Sequence, residues 1–335
     1  MAEVARRRIG RAFAAKAVLA LPTTAPLIER LEVDRTVRRI CGWERRSDLP
    51  SESTFSRAFA EFAAENLPER VHEQLVRESL RGRIVGHRAR DATEIEARER
   101  PLRRPPDDPP SASPSATADQ AVAPRAEPAA KEPTRLERQR KPSLEEMLAE
   151  LPVRCDVGVQ TNSKGFKESW IGYKLHLDVA DGMIPSAAVL TAASTHDSQA
   201  ALPLARKSAG RIVWLYDLMA SAYDAAVLIE DIQAAGRVPI IDHNTRRNTS
   251  LRAEIDGERQ RRQLIRISDP DDLRYRERTN AERANGRLKD EFAGRMVRVQ
   301  GPVKGFCHLT AVLNCREQSA NEISLHRTRK DSNFR

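Results

Sequence analysis

The chain has 335 residues, enough for two domains and one sizeable core. Its net charge is +9 and its pI is near 9.7, which suits a polyanionic partner, nucleic acid being the commonest. No apolar run approaches the ~18 residues of a membrane span. The four cysteines (Cys41, Cys155, Cys307, Cys315) form no C-x-x-C pair, which argues against zinc and suits reduced thiols in the cytosol.

The N-terminus, MAEVARRRIGRAFAAKAVLALP, begins basic and turns apolar, in the manner of a signal peptide. Lys16 interrupts its apolar part, and a DNA-binding reading of the whole chain argues against export. Residues 20–82 read as a helical domain. Thr23 or Thr24 can cap a first helix through Leu27, Ile28 and Leu31. Asp34 can cap a second, with Val37, Ile40 and Cys41 apolar and Gly42 ending it. Ser51 or Ser53 can cap a third, in which Phe55, Phe59 and Phe62 recur at helical spacing. Short helices with Arg57 on the third are compatible with a DNA-binding helix-turn-helix, and equally with a plain helical subdomain.

Residues 83–95, RIVGHRARDATEI, alternate enough to predict a strand with Asp91 near its end; the segment 83–100 is the first piece of a second domain. Composition then changes. Residues 101–133 hold nine of the twenty prolines, and no Phe, Trp or Tyr occurs from 63 to 165. A segment so poor in apolar surface cannot offset its ordering entropy, so a disordered linker is expected over 101–142.

SLEEMLAEL, 143–151, reads as a short capped helix. WIGYKLHLDVADGMIPSAAVLTAAS reads as a hairpin turning at Asp181-Gly182. RIVWLYDLM is the next strand, AAVLIEDIQAAG a helix, and VPIIDHN another strand. This order predicts a mixed α/β sheet over 143–316. The stretch 244–299 is Arg-rich, with fifteen Lys and Arg against ten Asp and Glu. The tail, 317–335, loses the apolar pattern and is left unassigned.

The strongest motif is YRERTNAERANGRLK. At about 100° per residue, Tyr275, Arg278, Glu282 and Lys289 fall within roughly 60° of one helix face. A carboxylate flanked by basic groups suits a face that meets a metal ion and a phosphate backbone. An ordinary charged helix with i,i+4 pairs is the plain alternative. No phosphate-binding loop or dinucleotide fingerprint occurs, and His176 and His196 lack the spacing of metal ligands.

Tyr-x2-Arg-x3-Glu-x6-Lys resembles the signature of a large group of bacterial insertion-sequence transposases of the DDE type. Further stretches resemble that group in the same order: LPTTAPLIERLEVDRTVRRICGWE, RARDATEIEARE, WIGYKLHLDVADG, STHDSQ and RLKDEF. The resemblance implies an RNase H-like α/β catalytic core, preceded by a helical DNA-binding domain and interrupted by the linker. It implies a triad of two aspartates and a glutamate binding two Mg²⁺ (or Mn²⁺) ions. Such ions, about 3.5–4 Å apart, clamp the attacking and leaving oxygens of an in-line displacement at phosphorus. Asp91, in DATEIE, matches the first aspartate and Glu282 the glutamate, each as catalytic residue and metal ligand. Tyr275, Arg278, Lys289 and Arg57 are the expected DNA contacts. The implied partners are double-stranded DNA, as element ends and target, and a second copy of the chain on paired ends. The implied location is the nucleoid.

The second aspartate of the group stands in Asp-x-x-Tyr-Asp after an apolar strand. Aligning Tyr223-Asp224 with that pattern puts Ala220 at the catalytic position. Three accounts stay open. The carboxylate is lost and the centre impaired; Asp217 or Asp224 substitutes; or the alignment slips and one of these is the ligand. Asp217 is an odd offset from 220 and would point to the other face of a strand, whereas Asp224 would lie roughly 13 Å further along it. The expected function is therefore a transposase that binds terminal inverted repeats, or else a non-catalytic DNA-binding remnant or repressor derived from one.

Overall fold

A computed structural model describes residues 3–101, 133–161, 164–245, 248–266 and 269–315. Its first part is a set of five helices: α1 (Glu3–Val18), α2 (Thr24–Val33), α3 (Arg35–Cys41), α4 (Glu52–Ala64) and α5 (Leu67–Ser79). The helical unit starts earlier than residue 20. Phe13 of α1 packs edge-on against Phe55, Phe59 and Phe62, so the apolar N-terminus completes this core. Asp34 caps α3 by accepting from the Thr36 and Val37 amides at 2.9 and 3.1 Å, and Gly42 ends it in the left-handed conformation. Thr23 and Ser51 occupy N-cap positions without a side-chain cap bond. Ile40, one of the apolar residues of this helix, is exposed; Arg38 is buried, donating to the carbonyls of Leu31 and Glu32.

The rest is a mixed sheet with helices on both faces. Its strands are β1 (Ile84–Ala97), β2 (Asp156–Thr161), β3 (Lys167–Ala180), β4 (Ile184–Ala192), β5 (Val213–Met219), β6 (Val238–Ile241) and β7 (Met296–Val297). The order is β2-β3-β1-β5-β6, with β4 also on β3 and β7 on β1. β1, β5 and β6 run parallel; β3 runs antiparallel to β1, β2 and β4. The β3–β4 hairpin turns at Asp181-Gly182 as its sequence predicts. Asp181 also ties the turn to β1, accepting from the amides of Gly86 and His87. Asp91 lies in the middle of β1 rather than near its end.

The helices after β1 are α6 (Arg135–Arg138), α7 (Leu144–Glu150), α8 (Ala201–Ala209), α9 (Ala226–Ala234), α10 (Thr249–Leu264), α11 (Pro270–Tyr275), α12 (Thr279–Glu291) and α13 (302–315). Ser143 and Glu146 form a capping box on α7. The expected linker over 101–142 falls mostly outside the described residues, but its last part carries α6. The tail 317–335 lies outside them. The largest core cluster joins one sheet face (Ala89, Leu175, Leu177, Leu218, Ile240) to Ala281, Ala284 and Leu288 of α12 and to Leu309 and Leu313 of α13. The opposite face is covered by α5, α7, α8 and α9. No helix among the described residues is long and apolar enough to cross a membrane.

Candidate functional site

The parallel strands β5 and β6 end together beside the middle of β1, and the carboxyl ends of parallel strands are where open α/β sheets gather ligands. The register there is continuous: Arg88 pairs with Asp217, Ala89 with Leu218 and Arg90 with Met219. β5 ends at that last pair, so Ala220 is the first residue after the strand and Asp91 the next residue along β1. Neighbouring strands lie about 4.8 Å apart, and laterally paired residues share a face. Ala89 and Leu218 both face α12, and Asp91, two residues on from Ala89, faces it too.

α12 supplies the facing side chains. Asn285 is buried and donates its amide to Asp91 Oδ2 at 2.9 Å. Arg278, just before α12, brings Nη1 to 4.0 Å from Asp91 Oδ1 and Nη2 to 2.5 Å from Glu282 Oε1. Burial pushes the Asp91 carboxyl up to about 6, against the pull of Arg278 and the Asn285 hydrogen bond. Glu282 is half exposed on the first turn of α12. Lys289 pairs with Glu94 at 2.6 Å, two turns along the helix. Tyr275 ends α11, with its ring centre 5.6 Å from the Arg278 guanidinium carbon. The four motif positions do not share one regular helix: Tyr275 belongs to α11, residues 276–278 form a 3-10 turn, and only Glu282 and Lys289 lie in α12. The fold still gathers Asp91, Arg278 and Glu282 at one place.

The alternative aspartates have other partners. Asp217 faces away from α12 and is buried. It pairs with Arg88 and accepts from Trp214 Nε1 at 3.0 Å. Asp178 shares that network, with Arg88 at 3.1 Å, Arg90 at 2.7 Å and the Ser208 hydroxyl at 2.7 Å. Burial pushes the Asp178 carboxyl up, but the two guanidinium groups outweigh it and hold it low. Asp224 follows the 3-10 turn after β5 and accepts from the Asn244 amide at 2.9 Å. His176 is buried against Thr191, and His196 caps the turn at Ser198.

Two participants escape sequence reasoning. Asn285 lies three residues after Glu282, a spacing that puts both on adjacent parts of one helix face, but nothing singles out an asparagine. Asp197, held by Lys174 at 2.9 Å, lies close enough for its charge to act on both Asp91 and Tyr223. Its place depends on the 3-10 turn that follows β4. Arg57 lies exposed on α4 and bonds within its own helix, at the Ser53 carbonyl and Thr54 hydroxyl.

Carboxylate oxygens are the donors a hard dication requires, and Asp91 and Glu282 offer them. Their arrangement does not fit a two-ion centre. Arg278 stands between them, position 220 carries a methyl, and no group of three His, Cys, Asp or Glu among the described residues is placed to hold a metal.

Neither the curated proteins nor the solved structures contain a match to this chain. A family model, described as the transposase DDE domain, matches residues 151–316. Those residues carry every strand except β1, together with α12, and on that match the chain belongs to the DDE transposases.

Proposed function

We propose that this chain is an insertion-sequence transposase that binds the terminal inverted repeats of its element and whose strand-cleaving centre is impaired at Ala220. The observation that carries this reading is that Ala220 directly follows β5, whose last residue, Met219, pairs with Arg90, the neighbour of Asp91. Asp91 and Glu282 are the surviving carboxylates of an RNase H-like centre that in an intact form takes Mg²⁺ or Mn²⁺. Asp217 is no substitute, because its oxygens serve Arg88 and Trp214 on the far side of the sheet. Asp224 sits beyond a turn and serves the Asn244 amide. The protein is therefore a DNA-binding derivative of a transposase, able to occupy element ends, as a dimer on paired ends and at the nucleoid, without cutting them.

Arg57 on α4 and the Tyr275, Arg278 and Lys289 group are the proposed DNA contacts; the net charge of +9 supports a phosphate-dominated interaction. Binding to duplex DNA should weaken steeply as salt rises, which a fluorescence-anisotropy titration at several salt concentrations would measure.

The deciding experiment is a cleavage and strand-transfer assay on a labelled duplex carrying the element's own ends, with Mg²⁺ and then Mn²⁺. The native chain should bind and not cut; Ala220→Asp should cut, and Ala220→Asp with Glu282→Ala should not. Cutting by the native chain would show that its centre is complete without a carboxylate at 220.

A further inference from the structure

Asp91 and Glu282 are separated by a cation that belongs to the chain. The two terminal nitrogens of the Arg278 guanidinium address carboxylates from different elements, one at 4.0 Å and one at 2.5 Å. The group is held in place: its side chain is only 20% exposed, and it lies against the Tyr275 ring. The other oxygen of Asp91 accepts from Asn285, itself anchored in the core side of α12. Each Asp91 oxygen therefore faces a donor of the protein, and two negative charges share one positive charge. A carboxylate at position 220 would add a third negative charge to this face. Its replacement by alanine leaves a balance that one guanidinium comes closer to satisfying.

We propose that Arg278 is the built-in counter-ion of the Asp91–Glu282 pair, occupying the place of a divalent cation and excluding one until it is displaced. This rests on the reading of the pair as the remains of a metal centre. A dication entering between the carboxylates meets the guanidinium at close range, and Glu282 must give up a charge-assisted hydrogen bond to receive it. Lys289 provides an internal comparison. It carries the same charge but lies in α12, pairs with Glu94, and stands about 10 Å along the axis from Glu282.

The test is Mn²⁺ binding to the full chain, followed by electron paramagnetic resonance of the free ion, with circular dichroism melts to establish folding. Arg278→Gln should bind Mn²⁺ about tenfold or more tightly than the native chain, because a neighbouring positive charge is removed. Lys289→Gln should stay within about twofold of native, its charge being already paired with Glu94. Ala220→Asp should also tighten binding. Arg278→Met, uncharged and of similar length, is the second variant should glutamine disturb folding. Tightening by Ala220→Asp but not by either Arg278 variant would overturn the counter-ion while leaving the metal-centre reading intact. Equal tightening by Lys289→Gln would also overturn it, since net charge alone would then be responsible. No Mn²⁺ bound even by the double variant Ala220→Asp with Arg278→Gln would overturn the metal-centre reading, and the inference with it.

Discussion

Asp217 and Asp178 are acidic residues in a DDE-type chain, yet their surroundings give them structural work. Both are buried on the side of the sheet away from α12, where they neutralise Arg88 and Arg90. The Trp214 ring lies between the Arg88 and Arg237 guanidinium groups, at 4.0 and 3.4 Å from their carbons. Removing one member of such a network strands a buried charge, at a cost of about 3–5 kcal/mol. Asp217→Ala should therefore lower stability by about that amount in a urea titration. Asp224→Ala, on the surface side of a turn, should cost less than about 1 kcal/mol. Were Asp217→Ala instead harmless to folding and damaging to DNA cleavage in an Ala220→Asp background, its structural assignment would fail. The sequence anticipates the facing of Asp217 from strand alternation, because three residues is an odd offset. It does not reveal the arginines, which come from β1, well over a hundred residues earlier.

At the scale of elements, β3 shows how the sheet is assembled. Its first half pairs with β2 and its second half with β4 on one side and β1 on the other. Gly172 stands at the change, at φ 155°, where a Cβ would come within 2.1 Å of the Ile95 carbonyl oxygen. Gly172→Ala should force β1 and β3 apart and destabilise the chain by about 3 kcal/mol or more, the range of severe backbone and packing defects, which a chemical denaturation curve would reveal. Because β1 carries Asp91, the same change should weaken any cation binding at the site. The motif helix carries the complementary lesson. Helical periodicity put Tyr275 through Lys289 on one face, but a 3-10 turn over 276–278 breaks the helix after α11. Tighter winding there, about 120° per residue, re-aims Arg278 toward Asp91.

Across the whole molecule, the helical unit is joined to the sheet by a buried charged contact. Glu69 of α5 pairs with Lys207 at 2.8 Å and with Arg211, while Arg211 also meets His72 at 3.0 Å. Asn314 of α13 donates to the Pro68 carbonyl from the other side. Burial drives His72 down to about 3, below its ordinary 6.5. Burial raises the Glu69 carboxyl, but Lys207 and Arg211 outweigh it and bring it to about 2. Both groups bind fewer protons folded than unfolded. Stability is thus complete above about pH 6.5, declines first as unfolded His72 takes up a proton, and falls further below about 4.5 as unfolded Glu69 does. His176 and His308, each lowered to about 4 by burial, act in the same direction. The melting temperature should drop from pH 7 to pH 5, and His72→Gln should flatten part of that slope. A melting temperature that rises on acidification would refute this assignment.

The sequence by itself determined the kind of molecule: a basic chain with a helical N-terminal unit, a hairpin at Asp181-Gly182, and a strand–helix–strand unit after it. Those features are local, set by periodicity, turn chemistry and motif spacing, and each is written within a short stretch of chain. Tertiary structure decided what meets what. The β1–β5 pairing across more than a hundred residues set the end of β5 beside Arg90, next to Asp91, α12 and the turn before it brought Asn285 and Arg278 onto that carboxylate, and burial turned Asp217 and Asp178 into counter-charges for Arg88 and Arg90. Long-range pairing and burial depend on the closing of the whole sheet, and no window of the sequence contains them.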